Sequence, residues 1–271
     1  MHLILYPNGG LANRMRAIDS AVNLCGEKHK LTVVWYKDWG MNCDWNELFN
    51  LVPYVEDKPV SRMMRYVLKH HEDKRWLKAV LWLLRQLHIL WFCDMKGEEY
   101  IPLAEEICGG GYLFAVMRSW EAFCPSEPFR KELFALKDTE RLEKELVKVN
   151  NHTIGVHIRR TDHIWSLEHS PLELFEAKMK AELEHDPETN FYLCSDDESV
   201  KDYFRSGEWA DRVKMPNGLI DRGSKEGIAQ AACEMYALAA TRKIYGSYWS
   251  SFGEIAARLG NIDIEVCASI L

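Results

Sequence analysis

The chain alternates short strand-like segments with helix-like segments along most of its length, and this alternation limits its fold more than any other feature. Apolar, β-branched runs lead into turn residues and then into segments with helical periodicity, as at Leu11, Met15, Ile18, Val22 and Cys25. A strand–helix–strand order produces a parallel sheet that helices cover on both faces. We therefore predict an α/β fold.

The length of the chain and the repetition of this scheme indicate two domains. A chain of 271 residues suits two modest domains. The strand–helix scheme occurs in both halves, with a charged helical segment at 138–149 between them. We predict two doubly wound, Rossmann-like domains, with residues 1–148 in the first and residues 149–271 in the second.

Composition excludes several classes of protein. A net charge of −7 argues against a nucleic-acid partner bound by phosphate neutralisation. No two of the eight cysteines form a CxxC pair, so no zinc cage is indicated, and several lie in apolar runs typical of free buried thiols in a reducing compartment. The first residues predict a strand and not a signal peptide, so we expect a cytoplasmic protein.

The segment 154–163, IGVHIRRTDH, carries the strongest functional indication. An apolar strand ends abruptly at Arg159, Arg160, Thr161 and Asp162, and open α/β sheets bind ligands at the carboxyl ends of their strands. Arginine donates paired hydrogen bonds to phosphate oxygens, so the pattern predicts a diphosphate site. The alternative is an arginine pair in surface ion pairs.

Three further clusters follow predicted strands. Gly9–Arg14 places glycines before a helix, where backbone N–H groups can bind an anion, although most Gly-Gly turns bind nothing. Ser195, Asp196 and Asp197 suit either ribose hydroxyls or capping of the next helix. The run 247–251 has hydroxyl groups that suit a phosphate or a helix cap.

Two more observations concern the nucleotide. Glu234 lies among alanines within a predicted helix, where its carboxylate could accept bonds from the Watson–Crick edge of guanine; an exposed helix face is the alternative. The chain contains no Asp-x-Asp triplet, the spacing that typically holds a nucleotide-sugar diphosphate through a metal ion. Arginine would therefore neutralise the diphosphate.

Residues 58–92 interrupt the alternation. Residues 58–88 include eight Lys or Arg residues and only two acidic residues, Glu72 and Asp73. As a helix, residues 76–92 would be apolar on nearly every side. The stretch is too short and too interrupted to span a bilayer. We expect a buried helical hairpin; the alternative is a basic amphipathic surface that contacts the inner face of a membrane.

Taken together, these residues resemble the fucosyltransferase superfamily that includes the alpha-1,6-fucosyltransferases and the bacterial nodulation fucosyltransferases. His157–Asp162 is similar to that family's HxRRTD motif, Ser195–Asp197 to its (T/S)DD motif and Gly246–Ser251 to its Ser-Ser motif. Gly9–Arg14 resembles the glycine-rich loop of related enzymes. The match covers the C-terminal half almost throughout, and the N-terminal half only at that loop.

The resemblance implies a GT-B-like fold, in which the two Rossmann-like domains face a cleft. It also implies a metal-independent, inverting transfer of fucose from GDP-fucose to a glycan hydroxyl, with no other cofactor. It implies an N-terminal acceptor domain and a C-terminal donor domain. Arg159 would stabilise the leaving GDP, and His157 and Glu234 would contact guanine. Arg160, Asp162, Asp196, Asp197, Ser250 and Ser251 would line the donor pocket. The other implied substrate-binding residues are Gly10, Asn13, Arg14 and Ser195.

The chain departs from the family pattern at three positions and leaves the catalytic base open. His163 stands where the alpha-1,6 enzymes have lysine, Glu234 where aspartate is usual, and Phe252 where glutamine follows the serine pair. Inversion needs a base or a dissociative transition state, and Glu168 is our candidate base, with Asp162 second. The alternatives to a fucosyltransferase are an enzyme for another nucleotide sugar and a non-catalytic nucleotide- or glycan-binding protein.

Overall fold

The chain consists of two compact units, Met1–Ala135 and Leu136–Leu271. The computed structural model describes residues 1–95, 104–161, 164–218, 221 and 223–269. The division precedes the helix Thr139–Leu146, whereas the sequence predicts a boundary after it, at 148/149. The helix belongs to the second unit because it packs against the helix Lys225–Ala239.

The first unit is a parallel sheet with flanking helices. Its strands run in the order β3-β2-β1-β5-β4, and β1 pairs with a neighbour on each side, His2 lying opposite both Lys30 and Phe114. A short 3₁₀ helix, Lys131–Phe134, follows the last strand. The elements are β1 (His2–Pro7), α1 (Leu11–Cys25), β2 (Lys30–Trp35), α2 (Trp45–Leu48), β3 (Val55–Asp57), α3 (Arg62–His70), α4 (Arg75–Gln86), β4 (Leu90–Asp94), α5 (Ala104–Gly109) and β5 (Phe114–Ser119).

The second unit has a five-stranded parallel sheet in the order β10-β9-β6-β7-β8. Numbered from its own first strand, this is the Rossmann order 3-2-1-4-5. The elements are α6 (Thr139–Leu146), β6 (Thr153–Ile158), α7 (Ile164–His169), α8 (Leu172–His185), β7 (Asn190–Ser195), α9 (Glu198–Phe204), a 3₁₀ helix (Gly207–Trp209), β8 (Val213–Lys214), α10 (Lys225–Ala239), β9 (Ile244–Ser247), α11 (Ser251–Gly260) and β10 (Ile264–Cys267).

The structure confirms the predicted α/β architecture with two parallel sheets. The central strand β6 is buried at all six positions, and its apolar side chains pack with Phe175 and Met179 of α8 and Phe191 of β7. Burial on both faces explains why this strand is a continuous apolar run and does not alternate. The helix predicted from Leu11 is α1, whose residues Leu11, Met15 and Ile18 are buried.

The expectation of a buried helical hairpin at 58–92 is wrong. The segment forms two helices, α3 and α4, and the strand β4, with Leu68 and Leu77 as the buried residues of the two helices. Trp76 is 56% exposed and Trp82 is 62% exposed. The apolar run is continuous in the sequence because α4, which carries apolar residues on more than one side, is followed closely by the apolar strand β4. Strand β4 pairs with β5.

All eight cysteines lie within the described residues, and none forms a disulfide. Cys25 and Cys43 in the first unit and Cys194, Cys233 and Cys267 in the second are buried. Burial raises the pKa of Cys25, Cys233 and Cys267 to about 12 in each case.

The end of α11 approaches α10 closely enough to require glycine. A Cβ atom on Gly260 would lie 2.1 Å from the Ala239 carbonyl oxygen, a backbone atom that a side-chain rotation cannot move. We expect Gly260→Ala to lower the free energy of unfolding by about 1–3 kcal/mol, through overpacking. Urea denaturation followed by circular dichroism measures this change.

Gly109 provides the matched control, because it ends α5 as Gly260 ends α11 and a Cβ there meets no atom within 4 Å. Gly109→Ala should leave the unfolding free energy within about 1 kcal/mol of the wild-type value. Equal stability of the two variants would contradict the close-packing argument.

Candidate functional site

The predicted motifs of the second unit meet at one edge of its sheet. Strand β6 pairs with both β7 and β9 in parallel, so the carboxyl ends of these three strands lie side by side. The strand order reverses between β6 and β9, and open α/β sheets bind their ligands at such a reversal. Residues 159–161, 195–197 and 247–251 are therefore brought together, as the sequence predicts.

Ser247 holds the backbone at Arg159. The Arg159 N–H donates to Ser247 Oγ at 3.0 Å, and this hydroxyl donates in turn to the His157 carbonyl at 3.3 Å. Ser247 is 3% exposed. Ser247 lies in the hydroxyl-rich run but is not among the residues that the sequence predicts for the site; its position at the end of β9 is the signal that could have indicated it.

Asp196 holds the residues that follow Arg159. One carboxylate oxygen accepts the Arg160 N–H at 2.7 Å, and the other accepts the Thr161 hydroxyl at 2.8 Å. Two neighbouring strands thus supply the hydrogen-bond acceptors for the N–H groups just beyond β6. The backbone at both arginines is fixed by side chains from β9 and from the end of β7.

The two arginines have different environments. Arg160 is 8% exposed, and its guanidinium donates to the Ser170 carbonyl at 2.7 Å and to the Arg159 carbonyl at 3.2 Å. Burial lowers the pKa of Arg160, and Asp196 and Asp197 oppose that shift. Arg159 is only partly buried. Arg160 therefore braces the loop, and Arg159 is the more accessible of the pair.

Ser170 does not cap α8, although the residues Ser-Pro-Leu-Glu at 170–173 have the sequence pattern of a capping box. The helix begins at Leu172 with Pro171 as its N-cap residue, and no side chain bonds to that terminus. Ser170 Oγ instead accepts the Tyr248 N–H at 2.8 Å. The Ser170 hydroxyl thus makes a tertiary hydrogen bond in place of a helix-capping bond. Ser170 contacts the arginine loop through its carbonyl and the segment after β9 through its hydroxyl.

The carboxylates of the (T/S)DD-like run have separate partners. Asp197 is the N-cap residue of α9 and accepts the Ser199 N–H at 2.8 Å, which is the capping alternative. Ser195 Oγ accepts the Asp197 N–H at 3.2 Å. Asp196, as described above, bonds to the arginine loop. Asp196 therefore holds the arginine loop, and Asp197 caps α9.

His157 and the serine pair form the other side of this edge. The His157 ring stacks on Phe252 with ring centroids 4.8 Å apart, and Ser250 Oγ lies 3.5 Å from Nδ1. Ser250 is the N-cap residue of α11 without a side-chain capping bond, and Ser251 is the first residue of that helix. Phe252, at the position where the resemblance implies glutamine, thus packs against the imidazole ring.

Two tryptophans stand beside the serine pair. Trp165 of α7 is 54% exposed and Trp249 is 49% exposed, and their rings stack with centroids 6.5 Å apart. Trp249 has φ +56°, in the left-handed region that is uncommon for residues other than glycine. Neither tryptophan is among the site residues predicted from the sequence.

Glu234 is half-buried and joins a cluster of buried polar side chains. Gln230 Nε2 donates to Glu234 Oε1 at 3.2 Å and to Glu145 Oε1 at 3.1 Å. Tyr192 donates its hydroxyl to Glu145 Oε2 at 2.7 Å. Burial raises the pKa of Glu234 to about 7, and the nearby Lys201 opposes the shift. The alternative of an exposed helix face at Glu234 is thus wrong.

The predicted residues of the first unit surround the start of α1. Gly10 is the N-cap residue, and the preceding Gly9 has φ +77°. Arg14 is fully buried and donates to the Gly9 carbonyl at 2.9 Å, the Tyr36 carbonyl at 2.7 Å and the Asp38 carboxylate at 2.7 Å. Its guanidinium holds the loop and the end of β2 together.

Asn13 differs from Arg14. Its Oδ1 atom is buried and accepts no hydrogen bond from the described part of the chain. An amide oxygen without a partner at a glycine-rich turn is an acceptor available to a ligand donor. Among the predicted residues of this unit, Asn13 thus keeps hydrogen-bonding capacity.

Of the two candidate catalytic bases, Glu168 lies within the described residues and Asp162 does not. Glu168 lies on α7 and is exposed. Asp162 and the adjacent His163 lie outside the described residues. Over the described ranges, no group of three or more His, Cys, Asp or Glu side chains is arranged to hold a metal ion.

Known proteins share this fold. No protein-family model matches the chain, and no curated protein matches it. Among solved structures, a mutant of FUT1 from Arabidopsis thaliana in complex with GDP matches with a TM-score of 0.60 and 14% identity, over 98% of this chain and 69% of that one. NodZ alpha-1,6-fucosyltransferase soaked with GDP-fucose matches with a TM-score of 0.60 and 17% identity, over 95% and 92%.

POFUT1 in complex with GDP-fucose also matches, with a TM-score of 0.54 and 10% identity, over 98% of this chain and 97% of that one. At these identities the likeness shows the fold. The chain has the GT-B fold of these fucosyltransferases, as the sequence predicts.

The raised pKa of Glu234 predicts a pH-dependent stability. In the unfolded chain a glutamate has a pKa of about 4.3, so folding favours the protonated form of Glu234. The protonated carboxyl therefore contributes to the free energy of unfolding. This contribution is complete below the unfolded-state pKa and is lost as the pH rises through the folded-state pKa of about 7. Between about pH 5 and about pH 8, the free energy of unfolding of the wild type should fall by about 2 kcal/mol relative to Glu234→Gln. Urea titrations at both pH values measure this difference.

Glu184→Gln is the control, because Glu184 is an exposed residue of α8. Its pH dependence should follow the wild type. Parallel pH profiles for the wild type and Glu234→Gln would show that Glu234 is ionised at neutral pH in the folded protein.

Proposed function

We propose that the protein is a metal-independent, inverting glycosyltransferase that transfers fucose from GDP-fucose to a glycan hydroxyl. The observation that carries the proposal is Arg159, a partly exposed arginine fixed at the carboxyl end of β6, where the strand order reverses. The solved proteins that share its fold hold GDP or GDP-fucose. We assign donor binding to the second unit, acceptor binding to the first, and the activity to the cytoplasm.

Arg159 supplies the charge that the leaving group needs. In the transfer, the acceptor oxygen forms a bond to the anomeric carbon from the face opposite the diphosphate. The bond between that carbon and the diphosphate oxygen breaks, and both its electrons remain on GDP. A fixed guanidinium donates to those oxygens as their negative charge grows. The absence of an Asp-x-Asp triplet supports arginine, in place of a metal ion, in this role.

The remaining residues have supporting roles in the proposal. His157 and Glu234 contact the guanine edge, for which Glu234 must be ionised. Gly10 and Asn13, in the glycine-rich turn of the first unit, bind substrate there. The proton of the acceptor hydroxyl passes to Glu168, with Asp162 as the second candidate. Asp196, Ser247 and Arg160 fix the loop, so that Arg159 needs little reorganisation during the reaction.

The donor is tested by isothermal titration with GDP-fucose, GDP, GDP-mannose and UDP in the presence of EDTA. Guanine-selective binding without metal, followed by release of GDP from GDP-fucose with a glycan acceptor, supports the proposal. Preference for UDP, or binding that requires a divalent cation, contradicts it. Binding of GDP without turnover of GDP-fucose on any member of a broad acceptor panel would identify a non-catalytic binding protein.

Arg159→Ala should lower turnover on the order of a hundredfold or more, because it removes a group that stabilises charge in the transition state. Arg159→Lys should recover part of that loss, because a lysine retains the charge but not the paired donors. Steady-state rates of GDP release measure both variants.

Arg205→Ala serves as the control, since Arg205 is an exposed arginine of the same unit in surface ion pairs with Glu198 and Asp202. It should retain the wild-type rate. Near-normal turnover of a folded Arg159→Ala protein would remove Arg159 from the mechanism.

A further inference from the structure

Helix α4 exposes an apolar stripe to solvent. Trp76, Val80, Leu83 and Leu87 recur with the spacing of one helical face, and they are 56%, 43%, 50% and 58% exposed. Leu77, on another face, is 4% exposed and packs into the unit. The helix is therefore apolar on two sides, and one of them has no cover within the described parts of the chain.

Helix α3 extends this stripe. Met63 is 75% exposed and Tyr66 is 42% exposed, and the Tyr66 ring stacks with Trp76 at a centroid distance of 6.3 Å. Trp82, about 100° around α4 from Leu83, is also exposed, at 62%. We call these seven residues the α3–α4 face: Met63, Tyr66, Trp76, Val80, Trp82, Leu83 and Leu87. A concentration of exposed apolar side chains of this kind on a globular protein marks an interaction site.

Basic residues are concentrated in the same stretch of the sequence as this face. Residues 58–88 contain eight Lys or Arg and two acids, whereas the whole chain has a net charge of −7. The local excess of positive charge is thus opposite in sign to the rest of the protein. Lys74, Arg75 and Lys78, around the start of α4, are exposed.

Helix stability does not explain these cations. The N-terminus of a helix carries a partial positive charge and favours acidic residues, but neither α3 nor α4 has an acid in its first turn. Arg62 begins α3, and Lys74 and Arg75 begin α4. Their placement costs helix stability, and an anionic partner would offset that cost.

We propose that the α3–α4 face binds the surface of an anionic lipid bilayer. Amphipathic helices with tryptophan and leucine on one side and basic residues beside them lie in the plane of the headgroup region, with the apolar side toward the acyl chains. The two exposed tryptophans suit the interface between water and hydrocarbon. Among the described helices, none is long and apolar enough to cross a membrane. This inference concerns a surface that the proposed donor site does not use.

The test is co-sedimentation of the full-length protein with vesicles. One set contains phosphatidylcholine alone, and the other contains equal parts of phosphatidylcholine and phosphatidylglycerol. We expect binding to the anionic vesicles that weakens as salt is added, because exposed charges are screened. Binding to both vesicle types alike, or to neither, overturns the proposal.

Two sets of variants separate charge from apolar contact. Lys74→Gln combined with Arg75→Gln and Lys78→Gln should lower the partition coefficient on the order of a hundredfold, at about 1 kcal/mol for each basic residue near the surface. Trp76→Ala combined with Leu83→Ala should lower it at least about tenfold through lost apolar burial. All five residues are exposed, so the folded state should persist, as circular dichroism can verify.

Matched controls come from other surfaces of the chain. Trp39→Ala removes a tryptophan that is 91% exposed and outside the α3–α4 face. Lys28→Gln combined with Lys131→Gln and Lys214→Gln changes the net charge equally, at three other exposed positions. Both controls should bind vesicles like the wild type; losses equal to those of the test variants overturn the proposal.

Light scattering after size exclusion tests the competing occupant, a second copy of the chain. A wild-type dimer that becomes a monomer in Trp76→Ala with Leu83→Ala, together with no vesicle binding, would assign the face to self-association and overturn the membrane proposal. A wild type that is monomeric and binds anionic vesicles supports it.

Discussion

The second unit depends on how its central strand ends. Beyond Ile158 the backbone leaves the sheet, and the N–H groups of Arg159 and Arg160 no longer have strand partners. Buried backbone donors need acceptors, and the neighbouring strands supply them as side chains: Ser247 for Arg159 and Asp196 for Arg160. These two bonds join three strand ends at one point, so the geometry of the edge is set by the sheet and not by a flexible loop.

This arrangement gives two adjacent arginines different tasks. Arg160 is buried, and its charge is compensated by carbonyl oxygens and by the carboxylates of Asp196 and Asp197. Arg159 follows the same backbone path but remains more accessible. A buried cation without partners would cost several kcal/mol, so the loop is stable only while its acceptors are in place. The proposed catalytic arginine is thus held by a structural one.

Sequence periodicity predicted the architecture and the edge of the sheet where the motifs meet, but it failed where tertiary contacts competed with local patterns. The strand Thr153–Ile158 ends directly before Arg159, as predicted, because burial on both faces leaves an uninterrupted apolar run up to that point. Ser170 looked like a helix cap, yet its hydroxyl bonds to Tyr248, a contact across 78 positions of sequence. At 58–92, the apolar composition of the segment did not indicate which sides of helices α3 and α4 are buried against the first unit and which are exposed. The strand Leu90–Asp94 was missed because it continues the apolar run of the preceding helix.

The cysteines give each unit its own chemical reporter. Only the thiolate reacts with alkylating reagents, and burial both hides Cys25, Cys233 and Cys267 and raises the pKa of each to about 12. Modification of these thiols therefore requires the surrounding structure to open. Cys25 reports on Met1–Ala135, and Cys233 and Cys267 report on Leu136–Leu271. The rate at which these native thiols are alkylated thus reports how often each unit opens, separately for the two units and without added labels.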